Sequence, residues 1–277
     1  MLTLPRRGIV PRMPRLALPL PVLLLAASFG CADPNSAPAP PTLDEFLHSA
    51  WALYAAEELD GIATQTEAVK PTLDSAEFPM SGTFTDLDDD EVGLVELEWD
   101  ADPAKATGFY LVDTLDCSVD ELEDALTNPH QEEVYPDNYT AYNREFTSDI
   151  DAFHAADTDI AEWETTYSVA IPLYGNYSTF VHGGAFRIEV DGDASFATRT
   201  WAPNPATSDT EGLALDQDYQ VEVYYPGDGG MIHLYAMWRQ FQINDDTTQD
   251  NDALHNLILS GMKGYFDDTS TYCASLR

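Results

Sequence analysis

From residue 42 onward the apolar positions of the chain change period several times, and each change marks an element. Leu43, Phe46, Leu47, Ala50, Trp51 and Tyr54 recur at helical spacing behind Thr42-Leu-Asp-Glu45. That tetrad is a capping box, with Thr42 accepting from the first turn and Glu45 reaching back. The spacing predicts a helix that ends near Gly61. Short β-rich runs follow at 92–99 and 109–115. A second capping box, Ser118 to Glu121, opens a short helix from Val119 to Leu126 that Asn128-Pro129 stops. The period then falls to two: Trp163, Thr165, Tyr167, Val169, Ile171 and Leu173 share one side, with Glu162, Glu164, Thr166 and Ser168 on the other. Phe180, His182, Gly184, Phe186, Ile188 and Val190 alternate next, and Asp191-Gly192 turns them back onto Phe196, Thr198 and Thr200, a strong hairpin signal. A second hairpin joins 219–225 to 231–243 through Pro226-Gly-Asp-Gly-Gly230. Residues 140–155 predict a further strand, although Tyr142, Phe146, Ile150 and Phe153 also fit a helix. Leu254, Leu257, Ile258, Gly261 and Tyr265 place a closing helix from about Asp252.

Strand follows strand by short turns and helices lie at the two ends, so the expected class is α+β. About eight or nine antiparallel strands of this length form a strongly curved, barrel-like sheet between N- and C-terminal helices. A curved antiparallel sheet with a long terminal helix resembles lipocalin-like and START-like ligand-binding folds in architecture, and no sequence motif of either family is present. Trp163, Tyr167, Phe180, Phe186, Tyr219, Tyr235 and Phe241 alternate along the strands and are expected to face one interior. That interior is either a packed core or a partly open apolar cavity for a lipid or other small ligand. Arg187, Arg199 and Arg239 lie in the same strands. Each is expected to pair with an acid, the alternative being that one orients a ligand carboxylate with its planar fork.

The N-terminus has a different character. The first thirty residues hold no Asp or Glu, and Arg6, Arg7, Arg12 and Arg15 precede an apolar run from Leu16 to Phe29. Basic, apolar, then small is the layout of a secretory signal. The run includes Pro19 and Pro21 and is shorter than the ~20 residues of a membrane-spanning helix. Met13-Pro-Arg offers a more compact start. Ala27-Ser28-Phe29-Gly30-Cys31 resembles a bacterial lipobox, departing from the usual pattern at Ser28 and Phe29 and fitting it at Gly30 and Cys31. The resemblance implies cleavage before Cys31 and acylation of Cys31. With Ala32 rather than Asp next, it also implies an outer-membrane anchor in a Gram-negative envelope. The division that follows is a signal peptide at 1–30, a lipidated Cys with a Pro-rich tether at 31–41, and a single α+β domain at 42–277.

Charge narrows the function classes. The chain carries 49 acidic and 12 basic residues. Loss of the signal takes four of the basic residues and no acid, leaving eight against forty-nine, a net charge of −41. Nucleic-acid binding is excluded, because phosphate contacts need clustered Lys and Arg. Attraction to anionic lipid heads is disfavoured on the same ground. The acid surplus suits a solvated surface in a salty habitat, loose binding of divalent cations, or a basic partner. Fourteen Tyr, twelve Phe and five Trp rule out a disordered acidic tail.

With Cys31 acylated, Cys117 and Cys273 are the remaining thiols in an oxidising compartment, and a disulfide between them is expected. Catalytic and metal motifs fall short one by one. His182-Gly-Gly184 lacks the Gly-x-Ser-x-Gly elbow that an esterase needs and sits inside a strand, where close backbone approach is the simpler reason for the glycines. Asp86, Asp88 and Asp90 open like an EF-hand, but Glu91 and Leu97 occupy the positions that need Gly and Glu. The histidines at 48, 130, 154, 182, 233 and 255 show no ligand spacing, although His182 and His233 would meet if their strands paired. The expectation is therefore a non-enzymatic envelope lipoprotein without a cofactor, with a membrane partner through its anchor. It binds an apolar or amphipathic small molecule or, alternatively, presents an acidic surface to a basic partner or divalent cation. Acylation has a direct test. Wild-type protein expressed in a Gram-negative host is expected in the outer-membrane fraction with a diacylglyceryl mass on Cys31, and Cys31→Ser is expected to lack both.

Overall fold

Helix α1 spans Leu43–Ala55 and begins as expected, with Thr42 Oγ1 accepting from the Glu45 amide and the Glu45 carboxylate accepting from the Thr42 amide. The computed structural model describes residues 41–277, apart from positions 76, 77, 79, 172 and 173. The export segment, Cys31, the tether through Pro40 and the strand position Leu173 lie outside the described residues. Helix α1 stops earlier than its periodicity suggests. Glu57 takes a φ of 56°, the chain turns, and α2 (Leu59–Leu73) starts at once. Gly61 belongs to the first turn of α2, where an added Cβ would approach Leu53 Cδ2 to 2.9 Å. Ile62, Thr66, Val69 and Leu73 form the buried stripe of α2, a helix that the apolar periodicity did not reveal.

Strand β1 (Ser81–Phe84) leads to a one-turn helix, α3 (Asp89–Val92), and then to β2 (Thr107–Leu115). The strand expected at 92–99 is absent: Asp88 and Glu91 form a capping box instead, and the chain after Val92 runs through turns. Helices α4 (Val119–Thr127) and α5 (Gln131–Val134) follow, α4 capped by Ser118 and Glu121. Residues 140–155 divide into β3 (Ala141–Phe146) and α6 (Ile150–His154), because Asp149 accepts from the Ala152 amide and starts a helix there. Next come β4 (Ile160–Ile171), β5 (Gly175–Val190), β6 (Asp193–Trp201) and the short β7 (Thr207–Ser208). Strand β8 (Leu213–Gly227), β9 (Gly230–Ile243), the short β10 (Asp246–Thr247) and α7 (Asp252–Ser275) complete the domain.

All strand pairs are antiparallel, in the order β1-β2-β9-β8-β6-β5-β4-β3, with β10 beside β9 and β7 beside β5. The ten-stranded sheet has two edges, so it is open rather than a closed barrel. Asp191 and Gly192 both take positive φ, 55° and 84°, the type I′ geometry that suits a two-residue hairpin. The β8–β9 turn needs glycine for a second reason. Gly230 has a φ of 150°, and a side chain there would run into the carbonyl of Leu115.

Both faces of the sheet are covered. On one, Phe46, Trp51, Ile62 and Val69 of α1 and α2 pack against Val112, Val221, Val223, Leu234, Ala236 and Trp238. On the other, Leu122 of α4, Phe153 of α6 and Ile258, Met262 and Phe266 of α7 pack against Phe109, Phe196, Met231 and Met237. This corrects the expectation of a single aromatic interior. Trp163 and Tyr235 lie on the α7 side, Tyr167 and Phe241 join a cluster around Leu254, Phe186 and Tyr219 face α1 and α2, and Phe180 is 36% exposed. Alternation says that neighbours in a strand oppose one another, but it does not say which parity meets which layer.

Cys117 and Cys273 are bonded to each other, 156 residues apart in sequence. The bond fastens the chain after β2 to the last turn of α7, where Arg277 also reaches Glu121 and Asp116. Closing so large a loop restricts the unfolded chain, so the double variant Cys117→Ser/Cys273→Ser is expected to lose about 2–5 kcal/mol of stability. Urea unfolding measures this, and an unchanged midpoint would contradict it.

Candidate functional site

Alternation on the α7 side of the sheet delivers polar groups to one place. Trp163, Thr165 and Tyr167 on β4, Gln220, Glu222 and Tyr224 on β8, and His233, Tyr235 and Arg239 on β9 surround a cavity of about 130 Å³. Tyr142 and Arg144 of β3 and Tyr177 and Val181 of β5 close its sides, while Tyr265 and Thr269 of α7 and Tyr135 and Tyr139 from the α5–β3 connection complete it. Tyrosine dominates the wall, and the rings support one another. Tyr139 meets Tyr142 at 4.8 Å and Tyr167 at 5.4 Å between centroids, and Tyr135 meets Tyr265 at 4.8 Å. Burial pushes the Tyr139, Tyr167, Tyr224 and Tyr235 hydroxyls well above the ordinary phenol value, so all four stay neutral.

The charged groups are mostly matched within the protein. Arg239 donates through Nε and Nη2 to the two oxygens of Asp218, at 3.0 and 2.9 Å, a bidentate pair that consumes the guanidinium fork. Glu222 accepts from Tyr224 Oη at 2.7 Å, from Thr198 Oγ1 at 3.0 Å and from His233 Nε2 at 2.7 Å. Burial raises the Glu222 pKa, but these hydrogen bonds outweigh it and the net shift is downward. For His233 burial is the largest effect and lowers the pKa, only partly offset by Glu222. The imidazole is therefore neutral beside an ionised carboxylate, stacked between Tyr224 at 4.1 Å and Phe266 at 4.2 Å. Arg144 differs. Its guanidinium lies 4.3 Å from the Trp163 ring centroid and Nη1 donates to the Leu126 carbonyl at 2.7 Å, yet no carboxylate among the described residues pairs with it.

Three buried polar atoms on this wall have no hydrogen-bond partner among the described residues: Arg144 Nε, Thr165 Oγ1 and His233 Nδ1. Buried polar groups are rarely left so unless a water or ligand meets them. They comprise a donor, a hydroxyl that does both, and, on the neutral imidazole, an acceptor.

The other sequence candidates are dispersed. Arg187 pairs with Glu123 at 2.7 Å and donates to the Phe153 carbonyl, away from the cavity. Arg199 lies on the opposite face, over Trp51 of α1, with no acid partner among the described residues, so the expectation of pairing fails there. His182 stands beside Trp201 at 5.1 Å and does not meet His233. The glycines after it serve close approach, as expected. A Cβ on Gly183 would collide with Trp163 Nε1, and one on Gly184 would come within 2.8 Å of the Ala161 carbonyl. Asp88 is taken up in capping α3, and no cluster of three His, Cys, Asp or Glu suited to a metal ion occurs among the described residues. Tyr135, Tyr139, Arg144 and the Glu222–His233 pair are not marked by any sequence motif. The clustering of Tyr135, Tyr139 and Tyr142 was the one available signal.

No known protein family matches the sequence, and no curated protein matches it. Solved structures do align with the fold. Human StAR-related lipid transfer protein 5 aligns over 80% of this chain and 98% of its own at 10% identity, with a TM-score of 0.44. A STAR-related lipid transfer protein fragment from Xanthomonas axonopodis aligns over 61% of this chain and 89% of its own at 12% identity, with a TM-score of 0.42. At these scores the likeness adds nothing to what the chain's own geometry shows about its site.

The buried pair has a pH signature. A histidine whose folded pKa lies below the unfolded value of 6.5 costs nothing above that pH and destabilises the fold as pH falls through it. The lowered pKa of Glu222 acts in the same direction below 4.5. Between about pH 7.5 and about pH 5.5, His233 is expected to contribute up to about 1.4 kcal/mol of stability loss. Denaturant midpoints of wild type and His233→Gln at both pH values measure it. A wild-type loss no greater than that of the variant would contradict it.

Proposed function

We propose that this protein is an exported envelope lipoprotein, anchored through Cys31, whose folded part binds a small amphipathic molecule between the sheet and α7. The observation that carries the reading is the tyrosine-walled cavity with three orphan polar atoms on its surface. Aromatic faces supply apolar contact, and the orphan groups supply orientation. A fully packed interior would have removed the basis for it.

Size refines the ligand class. About 130 Å³ is below the several hundred Å³ of drug-sized sites and near the ~150 Å³ of a cavity that admits benzene. The reading is thus a ligand of one ring or a short chain with both donor and acceptor groups, and a long-chain lipid would require α7 to move. Three protein donors already engage the Glu222 carboxylate, which favours a role in holding His233 on the wall over direct contact with a ligand. The anchor rests on the basic and apolar leader and on Gly30-Cys31. No helix among the described residues is long and apolar enough to cross a membrane.

Native mass spectrometry of the full-length lipoprotein, released from a Gram-negative envelope in detergent, tests the cavity. The expected result is a small organic adduct that survives a chelator and is lost on denaturation. Val181→Trp should fill the cavity and abolish the adduct at a stability cost of about 1–3 kcal/mol. A clean apo mass for wild type, or an adduct that persists in the variant, would overturn the reading.

A further inference from the structure

The remaining orphan polar atoms gather on the other face of the sheet. Arg199 Nε and Nη2, Trp201 Nε1 and Tyr54 Oη are buried without hydrogen-bond partners among the described residues, and all three residues line a second cavity of about 190 Å³. It lies between the end of α1, the turns after α3, and β5 and β6. Gly184 makes room there, since a side chain at that position would meet Tyr54 Oη at 2.6 Å.

Arg199 is unusual in this chain. It is 4% exposed, in a protein with 49 acids it pairs with none among the described residues, and its neighbours are rings. The guanidinium lies 3.9 Å from the Trp51 centroid and 5.2 Å from that of Trp201. Those faces stabilise its charge but accept its N–H groups far more weakly than an oxygen would. Burial lowers its pKa to about 10, so it remains a cation at neutral pH. The orphan atoms around it are an arginine fork, an indole N–H and a hydroxyl, which together suit a carboxylate.

Charge at the mouth decides what else the ligand carries. Glu57, Glu96 and Glu162 line the same cavity, and none is within ion-pair distance of Arg199. A simple anion would meet these carboxylates and the −37 field of the whole chain. A zwitterion has no net charge to repel, and its ammonium group would complement the glutamates. We propose that this second cavity binds a small zwitterion of amino-acid size, its carboxylate on Arg199, Trp201 and Tyr54 and its ammonium toward Glu57, Glu96 and Glu162. This site is separate from the tyrosine-lined cavity and stands or falls without it.

The test is calorimetric titration of the full-length protein with L-phenylalanine and L-leucine, and with 3-phenylpropionate and phenethylamine, which keep only one charged group each. At least one amino acid is expected to bind saturably, and each single-charge analogue about tenfold or more weaker, the scale of one charged hydrogen-bonded contact. Arg199→Gln is expected to weaken binding by about tenfold or more on the same scale. Trp201→Phe keeps an aromatic ring, removes the indole N–H, and should weaken it by about fivefold. Because Arg199→Gln removes a buried contact, its fold is checked by circular dichroism, and if that variant is unfolded the affinity of Trp201→Phe decides. Absence of saturable binding by both amino acids would overturn the proposal. So would equal binding of 3-phenylpropionate, or affinity unchanged in Trp201→Phe and in a folded Arg199→Gln.

Discussion

The structure depends on one antiparallel sheet that is buried on both faces, so consecutive residues of a strand must satisfy two different interiors. Strand β9 shows the constraint most clearly. Leu234, Ala236 and Trp238 enter the core beneath α1 and α2, while His233, Tyr235 and Arg239 face the cavity beneath α7. A slip of one residue would place an ion pair in an apolar layer and a leucine in a polar cavity. Register is therefore held at the turns. Asp191-Gly192 allows one pairing of β5 with β6, and Gly230 fits against the Leu115 carbonyl, which couples the β8–β9 hairpin to the end of β2. The Cys117–Cys273 bond then holds α7 against the same corner.

The two interiors differ in chemistry although they share a wall. Beneath α7 most charges are met locally: Asp218 neutralises Arg239, and Glu222 is engaged by two hydroxyls and a neutral imidazole, while Arg144 rests on Trp163 with no carboxylate partner among the described residues. Beneath α1 and α2 the packed side chains are mostly apolar, and the buried guanidinium of Arg199 rests its charge on indole and phenol rings. The seven orphan polar atoms divide between the two cavities with none elsewhere among the described residues. That partition is physically informative. The rest of the interior obeys the rule that buried polar groups are paired, and the exceptions coincide with space that another molecule can fill. The large acid surplus is kept at the surface, where water solvates it.

Much of the local structure was legible because its causes are local. Thr42 with Glu45 and Ser118 with Glu121 cap helices through bonds spanning three residues, and Asp191-Gly192 supplies the backbone freedom of its own turn. Where a local signal was weak, periodicity misled. Helix α2 contains Gly61 and Pro71, which hide its buried stripe, and 92–99 looked like a strand although the box at Asp88 had already committed the chain to a helical turn. The sites were less legible still. Tyr135, Arg144, Glu222 and His233 come from separate elements, and nothing in their spacing brings them together. Of the three strand arginines, Arg187 and Arg239 found acids and Arg199 found none among the described residues, a distinction made by neighbours far away in sequence.

By itself, then, the chain's order of residues determined the α+β class, most of the strands, both hairpins, the long closing helix, and an N-terminus patterned for export. Each follows from interactions within a few residues or from composition. Tertiary structure alone decided that the sheet has two covered faces, that the aromatic residues divide between them, and that unsatisfied polar atoms gather at two cavities. Those outcomes depend on which strand parity meets which helical layer and on pairings across more than a hundred residues. Periodicity carries no information about either, because the same alternation is compatible with both choices of face.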